Sequence, residues 1–177
     1  MIAIEDMNLG ELAAFICSSL LIHGIDCVLT GGACVSIYSN NEYQSADIDF
    51  IESGYSERKK IKAILSELGF VEFHRYFKCD NVKYFIEFPS GPLAIASESV
   101  QEISEIIFST GVLKLLSPTD CVKARLAAYY HWDDLQSLAQ AISVSQNQKI
   151  HIDEIERWSR IENCSDKFEK IRNKLKS

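Results

Sequence analysis

A chain of 177 residues, 47% of them hydrophobic, is long enough to bury a full core, as one domain or as one domain with a helical appendage. Its 18 Lys and Arg stand against 25 Asp and Glu, and the net charge of −7 argues against broad non-specific binding to DNA or RNA, which rests on neutralising phosphates; a local basic groove is compatible with it. There is no signal peptide and no apolar run of transmembrane length, and the six cysteines (Cys17, Cys27, Cys34, Cys79, Cys121, Cys164) lack zinc-site spacing, so the chain reads as cytoplasmic, with reduced core thiols and no membrane partner.

Asn8 to His23 has the pattern of a helix. Asn8 and Glu11 form an N-terminal capping pair, Leu12, Phe15, Ile16, Leu20 and Ile22 make the apolar stripe, and Gly24 is the stop. His23 reads as a helix-end residue rather than a ligand. Next comes Val28-Leu29-Thr30-Gly31-Gly32, then Ala33 to Tyr38, a polar loop from Asn40 to Ser45, and Ala46-Asp47-Ile48-Asp49-Phe50-Ile51. This order reads as strand, glycine turn, short helix, loop, strand. Alternation along the second strand puts Asp47 and Asp49 on one face and Ile48 and Phe50 on the other. Two carboxylates roughly 6–7 Å apart at Cβ repel each other, and water, a basic side chain or a cation must offset that. A hard divalent ion such as Mg²⁺ does so best, because it takes oxygen ligands and keeps positions open for water and phosphate. The glycines let a backbone approach a ligand closely, and a helix start offers free N–H groups and the positive end of a dipole. Taken alone, Asp-x-Asp at a strand end is a solvated rim and Gly-Gly is a turn. The specificity lies in their combination.

Ser56 is placed to cap a helix from Glu57 to Leu68 that ends at Gly69. Its Arg58, Lys59, Lys60 and Lys62 form a solvated face or, alternatively, a positive patch for an anionic substrate. Phe70 to Lys78 and Val82 to Phe88 read as a hairpin turning at Cys79-Asp80-Asn81. In its second strand Val82, Tyr84, Ile86 and Phe88 share one face, and Lys83, Phe85 and Glu87 the other. Pro89-Ser90-Gly91-Pro92 is a turn, and Ile103–Phe108 and Val112–Leu116 are further strands joined through Ser109-Thr110-Gly111. Ser117-Pro118-Thr119-Asp120 opens a helix that runs to about His131, with Ser117 as cap, Pro118 at the first helical position and Asp120 as capping acid. Lys123 stands three residues from Asp120 on that helix, the spacing of a surface ion pair. Helices from Asp133 to about Ser145, Asp153 to Glu162 and Ser165 to Lys176 close the chain, with Trp158 packed inward. The basic tail (Lys167, Lys170, Arg172, Lys174, Lys176) is a solvated face, or a surface for RNA or an acidic protein.

The stretch Val28–Ile51 resembles the signature of the nucleotidyltransferase superfamily, the DNA polymerase β-like fold, in which a Gly-Gly or Gly-Ser turn precedes a strand bearing Asp-x-Asp. Within it, the chain looks most similar to the small bacterial branch around AbiEii-type toxins and minimal nucleotidyltransferases. The resemblance implies an α/β (α+β) fold: a mixed sheet flanked by helices over residues 1–116, with a helical part, 117–177, packed on it. It implies that Gly31 and Gly32 hold a triphosphate, and that Asp47 and Asp49 bind two Mg²⁺ ions. Ser45 matches a Ser or Thr usual two residues before the first Asp. The superfamily's third carboxylate, a metal ligand or the base for the attacking hydroxyl, matches Glu87. Glu72 competes for that role, although His74 and Tyr76 on its face suggest an ordinary surface. The segment Leu116–Leu126 resembles a helix whose Lys or Arg contacts nucleotide phosphate, with Lys123 the first match and Arg125 the second. In one departure, Tyr43-Gln44 stands where many relatives carry an Arg shortly before the Ser. The implied activity is Mg²⁺-dependent transfer of a nucleoside monophosphate from an NTP such as ATP to a hydroxyl of RNA (tRNA), a protein or a small molecule. A toxin–antitoxin setting would add a cognate toxin or antitoxin as partner. The rival reading is a non-catalytic protein of this fold that works by binding a partner protein; Mg²⁺-dependent triphosphate binding separates the two.

Overall fold

The computed structural model describes residues 2–54 and 58–175. The expected cap at Ser56 falls outside them. A 3₁₀ turn (Ile4–Asp6) leads into α1 (Leu9–Ile22), β1 (Cys27–Thr30), α2 (Gly31–Tyr38), β2 (Asp47–Glu52) and α3 (Arg58–Glu67). Next come β3 (Val71–Phe73), β4 (Tyr76–Lys78), β5 (Phe85–Glu87), a small ribbon of β6 (Ala94–Ile95) and β7 (Glu98–Ser99), β8 (Ile103–Phe108) and β9 (Gly111–Leu116). From there on the chain is helical: α4 (Pro118–Trp132), α5 (Leu135–Asn147), α6 (Ile152–Ile161) and α7 (Ser165–Leu175). The main sheet has the order β3-β4-β5-β2-β1-β9-β8. The pairs β2–β5 and β1–β9 are parallel and the others antiparallel, so the architecture is the mixed α/β sheet with flanking helices that the sequence leads one to expect.

The local signals act as read. Asn8 and Glu11 form a reciprocal capping box on α1, and Gly24 ends that helix at φ +76°. Ser117 caps α4 by accepting from the Asp120 N–H, with Pro118 in the first turn. Asp133 turns the chain in the left-handed region, and Asp134 caps α5 through the N–H groups of Gln136 and Ser137.

The predicted hairpin differs. Phe70 to Lys78 is not one strand: it folds into β3 and β4 around His74 and Arg75, with His74 at φ +55°. No Gly, Pro, Asn or Asp marks that turn, so the run of aromatic residues reads as continuous. The turn at Cys79–Asn81 does lead from β4 toward β5, with Asn81 at φ +66°. Splitting the strand settles the place of Glu72. It pairs across to Phe77 on the sheet face opposite Glu87's and is held by Arg58 and Lys62 at 2.8 and 2.9 Å, so it is no third carboxylate.

A single core joins the sheet to the C-terminal helices. Leu12, Ile16 and Leu20 of α1, Leu29, Ile48, Phe50, Phe77 and Ile86 of the sheet, and Trp158 and Phe168 beyond it are all buried. Trp158 stacks on Tyr130 at 5.6 Å between ring centroids, an inward packing as expected. The segment that follows α2 is tied to α5: Asn40 Nδ2 donates to Asn147 Oδ1 at 3.0 Å, Gln148 Nε2 to the Tyr38 carbonyl at 3.0 Å, and Ser143 Oγ to Glu42. The Tyr38 hydroxyl donates to the Leu116 carbonyl at 2.7 Å. Thus α2 is clamped between the end of the sheet and the helical part. The six thiols are free, and those of Cys17, Cys27, Cys34 and Cys121 are buried. Among the described residues no helix is long and apolar enough to cross a membrane.

Candidate active site

The sheet register assembles the acids. Antiparallel pairing of β1 with β2 sets Thr30 opposite Asp49, and parallel pairing of β2 with β5 sets Asp49 beside Glu87. Register partners share a face, so Thr30, Asp49 and Glu87 form one row, with Asp47 two residues back beside Phe85. On the other face the partners Leu29, Phe50, Ile48 and Ile86 are fully buried. The core therefore holds the strands and leaves the acids outward.

The glycine turn lies directly against this row. Gly31 has φ +65°, and a Cβ there would fall on the Asp49 carboxylate. A Cβ on Gly32 would lie 2.9 Å from Ser45 Oγ and 3.2 Å from Tyr43 Cε1. Tyr43, in the segment where the resemblance leads one to expect an Arg, thus packs over the turn. Helix α2 starts at Gly31 with no side-chain cap, so its first-turn N–H groups have no partner within the helix. Ser36, which the sequence reading passed over, links the pieces: its hydroxyl donates to the Gly32 carbonyl at 3.1 Å and accepts from the Ser45 N–H at 2.9 Å. A Ser bonding back four residues in a short helix is the signal that was there to find. Ser45 in turn uses its hydroxyl on the Asp47 backbone, donating to the carbonyl at 2.9 Å and accepting from the N–H at 3.2 Å. It fixes the start of β2.

Electrostatics follow from crowding. Burial first, then the negative charges of Glu87 and Asp47, push the Asp49 carboxyl up to about 6, against the pull of Arg125 and Arg75. Arg75 Nε stands 3.3 Å from Glu87 Oε1. Among the described residues no three His, Cys, Asp or Glu side chains are already gathered round a metal position; Glu87 is turned to Arg75 instead. The donor set itself suits a hard cation: three carboxylates on one face, one of them, Asp49, made to hold its proton up to about pH 6 by burial and by its two acidic neighbours. Because the folded value lies above the ordinary 3.8, the native state holds this proton more tightly than the unfolded chain. The associated stability is complete below about pH 4 and is lost as pH rises through about 6, up to about 3 kcal/mol for some two units. Thermal melts in EDTA should show wild type falling relative to Asp49→Asn between pH 4.5 and 7.

The two basic candidates on α4 have different surroundings. Lys123 is enclosed: its ammonium is 3.1 Å from Glu98, 3.2 Å from Asp120 and 3.3 Å from Glu154, and its side chain is 6% exposed. Arg157 shares Glu98 and Glu154 with it. That network occupies the ammonium to which the resemblance assigns a phosphate. Lys123→Met is expected to cost about 3 kcal/mol, by leaving the buried Asp120 carboxylate without its cation, and the melting temperature is the readout. Arg125 is the α4 cation whose field reaches Asp49. Its Nε is buried and, among the described residues, has no hydrogen-bond partner.

No family model matches this chain, and no curated protein does. Solved structures do. A nucleotidyltransferase-like antigenic protein from Paracoccidioides brasiliensis superposes with a TM-score of 0.65 and 15% identity, over 94% of this chain and 91% of that one. The antibiotic-resistance factor ANT(2'')-Ia superposes with a TM-score of 0.50 and 12% identity, over 88% of this chain and 95% of that one. At such identities the likeness establishes a shared fold.

Proposed function

We propose that this chain, whose fold is that of the nucleotidyltransferases, transfers a nucleoside monophosphate from a nucleoside triphosphate to a hydroxyl group. The observation that carries the reading is the row Thr30–Asp49–Glu87 with Gly31 folded onto the Asp49 carboxylate. Asp47, Asp49 and Glu87 would hold Mg²⁺, which when bound neutralises phosphate charge and acidifies the attacking hydroxyl. The first turn of α2, at Gly31 and Gly32, would give its free N–H groups to the triphosphate. Arg125 would add a cation from the helical part, a phosphate oxygen satisfying the Nε that now lacks a partner. In the transfer, the hydroxyl oxygen bonds to the α-phosphorus, the bond from that phosphorus to the bridging oxygen breaks, and pyrophosphate leaves with the electron pair. Glu87, once released from Arg75, would take the hydroxyl proton.

An antibiotic-resistance factor among the structural neighbours supports a small-molecule acceptor as one class, beside RNA and protein. The toxin–antitoxin setting implied by the AbiEii-type resemblance would add a cognate protein, and nothing in the site requires one. The test is calorimetric titration with an NTP, with and without Mg²⁺. Binding is expected only with the metal. Arg125→Ala should weaken it about 10- to 100-fold, the loss of a charge-assisted contact, with a melting temperature close to wild type. Absence of Mg²⁺-dependent triphosphate binding would end the proposal.

A further inference from the structure

The row of acids does not stop at Glu87. The antiparallel register carries it to Tyr76 on β4 and then to Phe73 on β3, at the edge of the sheet. Lys78, two residues from Tyr76, and Phe85, two residues from Glu87, share that face. These rings are unusually open for a sheet whose opposite face is core: Phe73 is 52% exposed and Phe85 41%. Each has a cation or another ring beside it. Lys78 Nζ lies 4.5 Å from the Phe73 ring centroid, Arg75 lies 4.7 Å from that of Tyr76, and the Tyr76 and Phe85 centroids are 6.0 Å apart. Arg75 and Lys78 are the cations at these rings, whereas Arg58 and Lys62 of α3 are engaged with Glu72 across the sheet.

Exposed aromatic residues scattered singly need no explanation. Here three form a line that begins at the acids, interleaved with positive charge. That alternation is how proteins hold single-stranded nucleic acid: each base presents a π-face to a ring, and cations follow the phosphates. We infer that Phe73, Tyr76 and Phe85, with Arg75 and Lys78, form the acceptor subsite, and that the acceptor is the single-stranded hydroxyl end of a nucleic acid. The inference rests on the nucleotidyl-transfer reading and deepens it. From β5 to β3 is about 10 Å, room for about two splayed nucleotides leading to Glu87. The terminal sugar hydroxyl then attacks the α-phosphorus, gives its proton to Glu87, and pyrophosphate departs. Arg75 has a second use here, since an incoming phosphate competes with Glu87 for its guanidinium and so frees the carboxylate.

The experiment is fluorescence anisotropy of a labelled 12-nucleotide single-stranded oligo(A) RNA with the full chain, at several salt concentrations, alongside Mg²⁺–ATP titration of the same preparation. Wild type should bind the RNA more weakly as salt rises. Phe73→Ala/Phe85→Ala should bind at least about tenfold more weakly, the effect of removing stacking partners, and Lys78→Ala should lower the salt slope by about one. The altered side chains are exposed, and circular dichroism checks that the fold is kept. ATP binding without RNA binding, or a double variant as tight as wild type, overturns the acceptor assignment and leaves nucleotidyl transfer standing. Labelling of a small antibiotic by wild type in place of RNA overturns it as well. Failure to bind ATP overturns the transfer reading itself, and the acceptor assignment with it.

Discussion

Asp49→Asn is expected to lower nucleotidyl transfer at least about 10³-fold, with Asp47→Asn close behind and the double variant little worse than either. The magnitude follows from the chemistry. Phosphoryl transfer depends on neutralising and positioning charge in a site that excludes water, and a single preorganised electrostatic group there is worth about 10²–10³ in rate. Asp47 and Asp49 belong to one charge-holding unit, and losses within such a unit do not add. Asn keeps the size of the side chain, so the Thr30–Asp49–Glu87 register has no reason to change. It removes a carboxylate crowded by burial, Glu87 and Asp47, so the metal-free variant should melt above wild type at pH 7.5. Loss of activity together with a gain in stability cannot come from misfolding. The assay is incorporation of α-labelled nucleotide under saturating Mg²⁺ and NTP, and a variant that incorporates label at the wild-type rate would remove Asp49 from the chemistry. Glu87→Gln should do less, about 10²-fold, the usual share of a proton-accepting group.

How far the site could be read from the sequence depends on how local each signal is. The glycine corner and the alternation of Asp47 with Ile48 and Asp49 with Phe50 are local, and they were legible. Glu87 could be named as an acid on a neighbouring strand, but its place beside Asp49 is a matter of register between residues far apart in the chain. The turn at His74–Arg75 was hidden because a His takes the left-handed conformation without any of the usual turn residues around it. That one omission concealed two things: the removal of Glu72 to the opposite face, and the arrival of Arg75 beside Glu87. On α4, positions 123 and 125 lie about 200° apart around the helix, so the two side chains leave it in nearly opposite directions. The pattern could not choose between them, because α4 buries residues on nearly every side, among them Cys121, Val122, Lys123 and Leu126. Glu98 and Glu154, which enclose Lys123, come from a ribbon and a helix distant in sequence.

Gly31→Ala tests whether the corner seats the carboxylate or only turns the chain. Two costs fall on this position together. At φ +65° an L-residue pays about 1–2 kcal/mol for left-handed backbone, and the new Cβ meets the Asp49 carboxylate, so the acid must swing away or the turn must open. Either movement displaces the charge on which the reaction depends, and a misplacement of about 1 Å near a reacting centre can cost about 10²-fold. Gly24→Ala separates the two effects. Gly24 has φ +76°, yet none of the described residues comes within 4 Å of where its Cβ would be, so it carries the backbone cost alone. The expected result is a drop in melting temperature of a few degrees for Gly24→Ala, for a chain of this size, and a larger one for Gly31→Ala, with transfer lost about 10²-fold in Gly31→Ala and kept in Gly24→Ala. Equal activity in the two would mean that Asp49 tolerates a methyl group against its carboxylate. The close approach of turn and acid would then be a packing detail rather than the geometry that the chemistry uses.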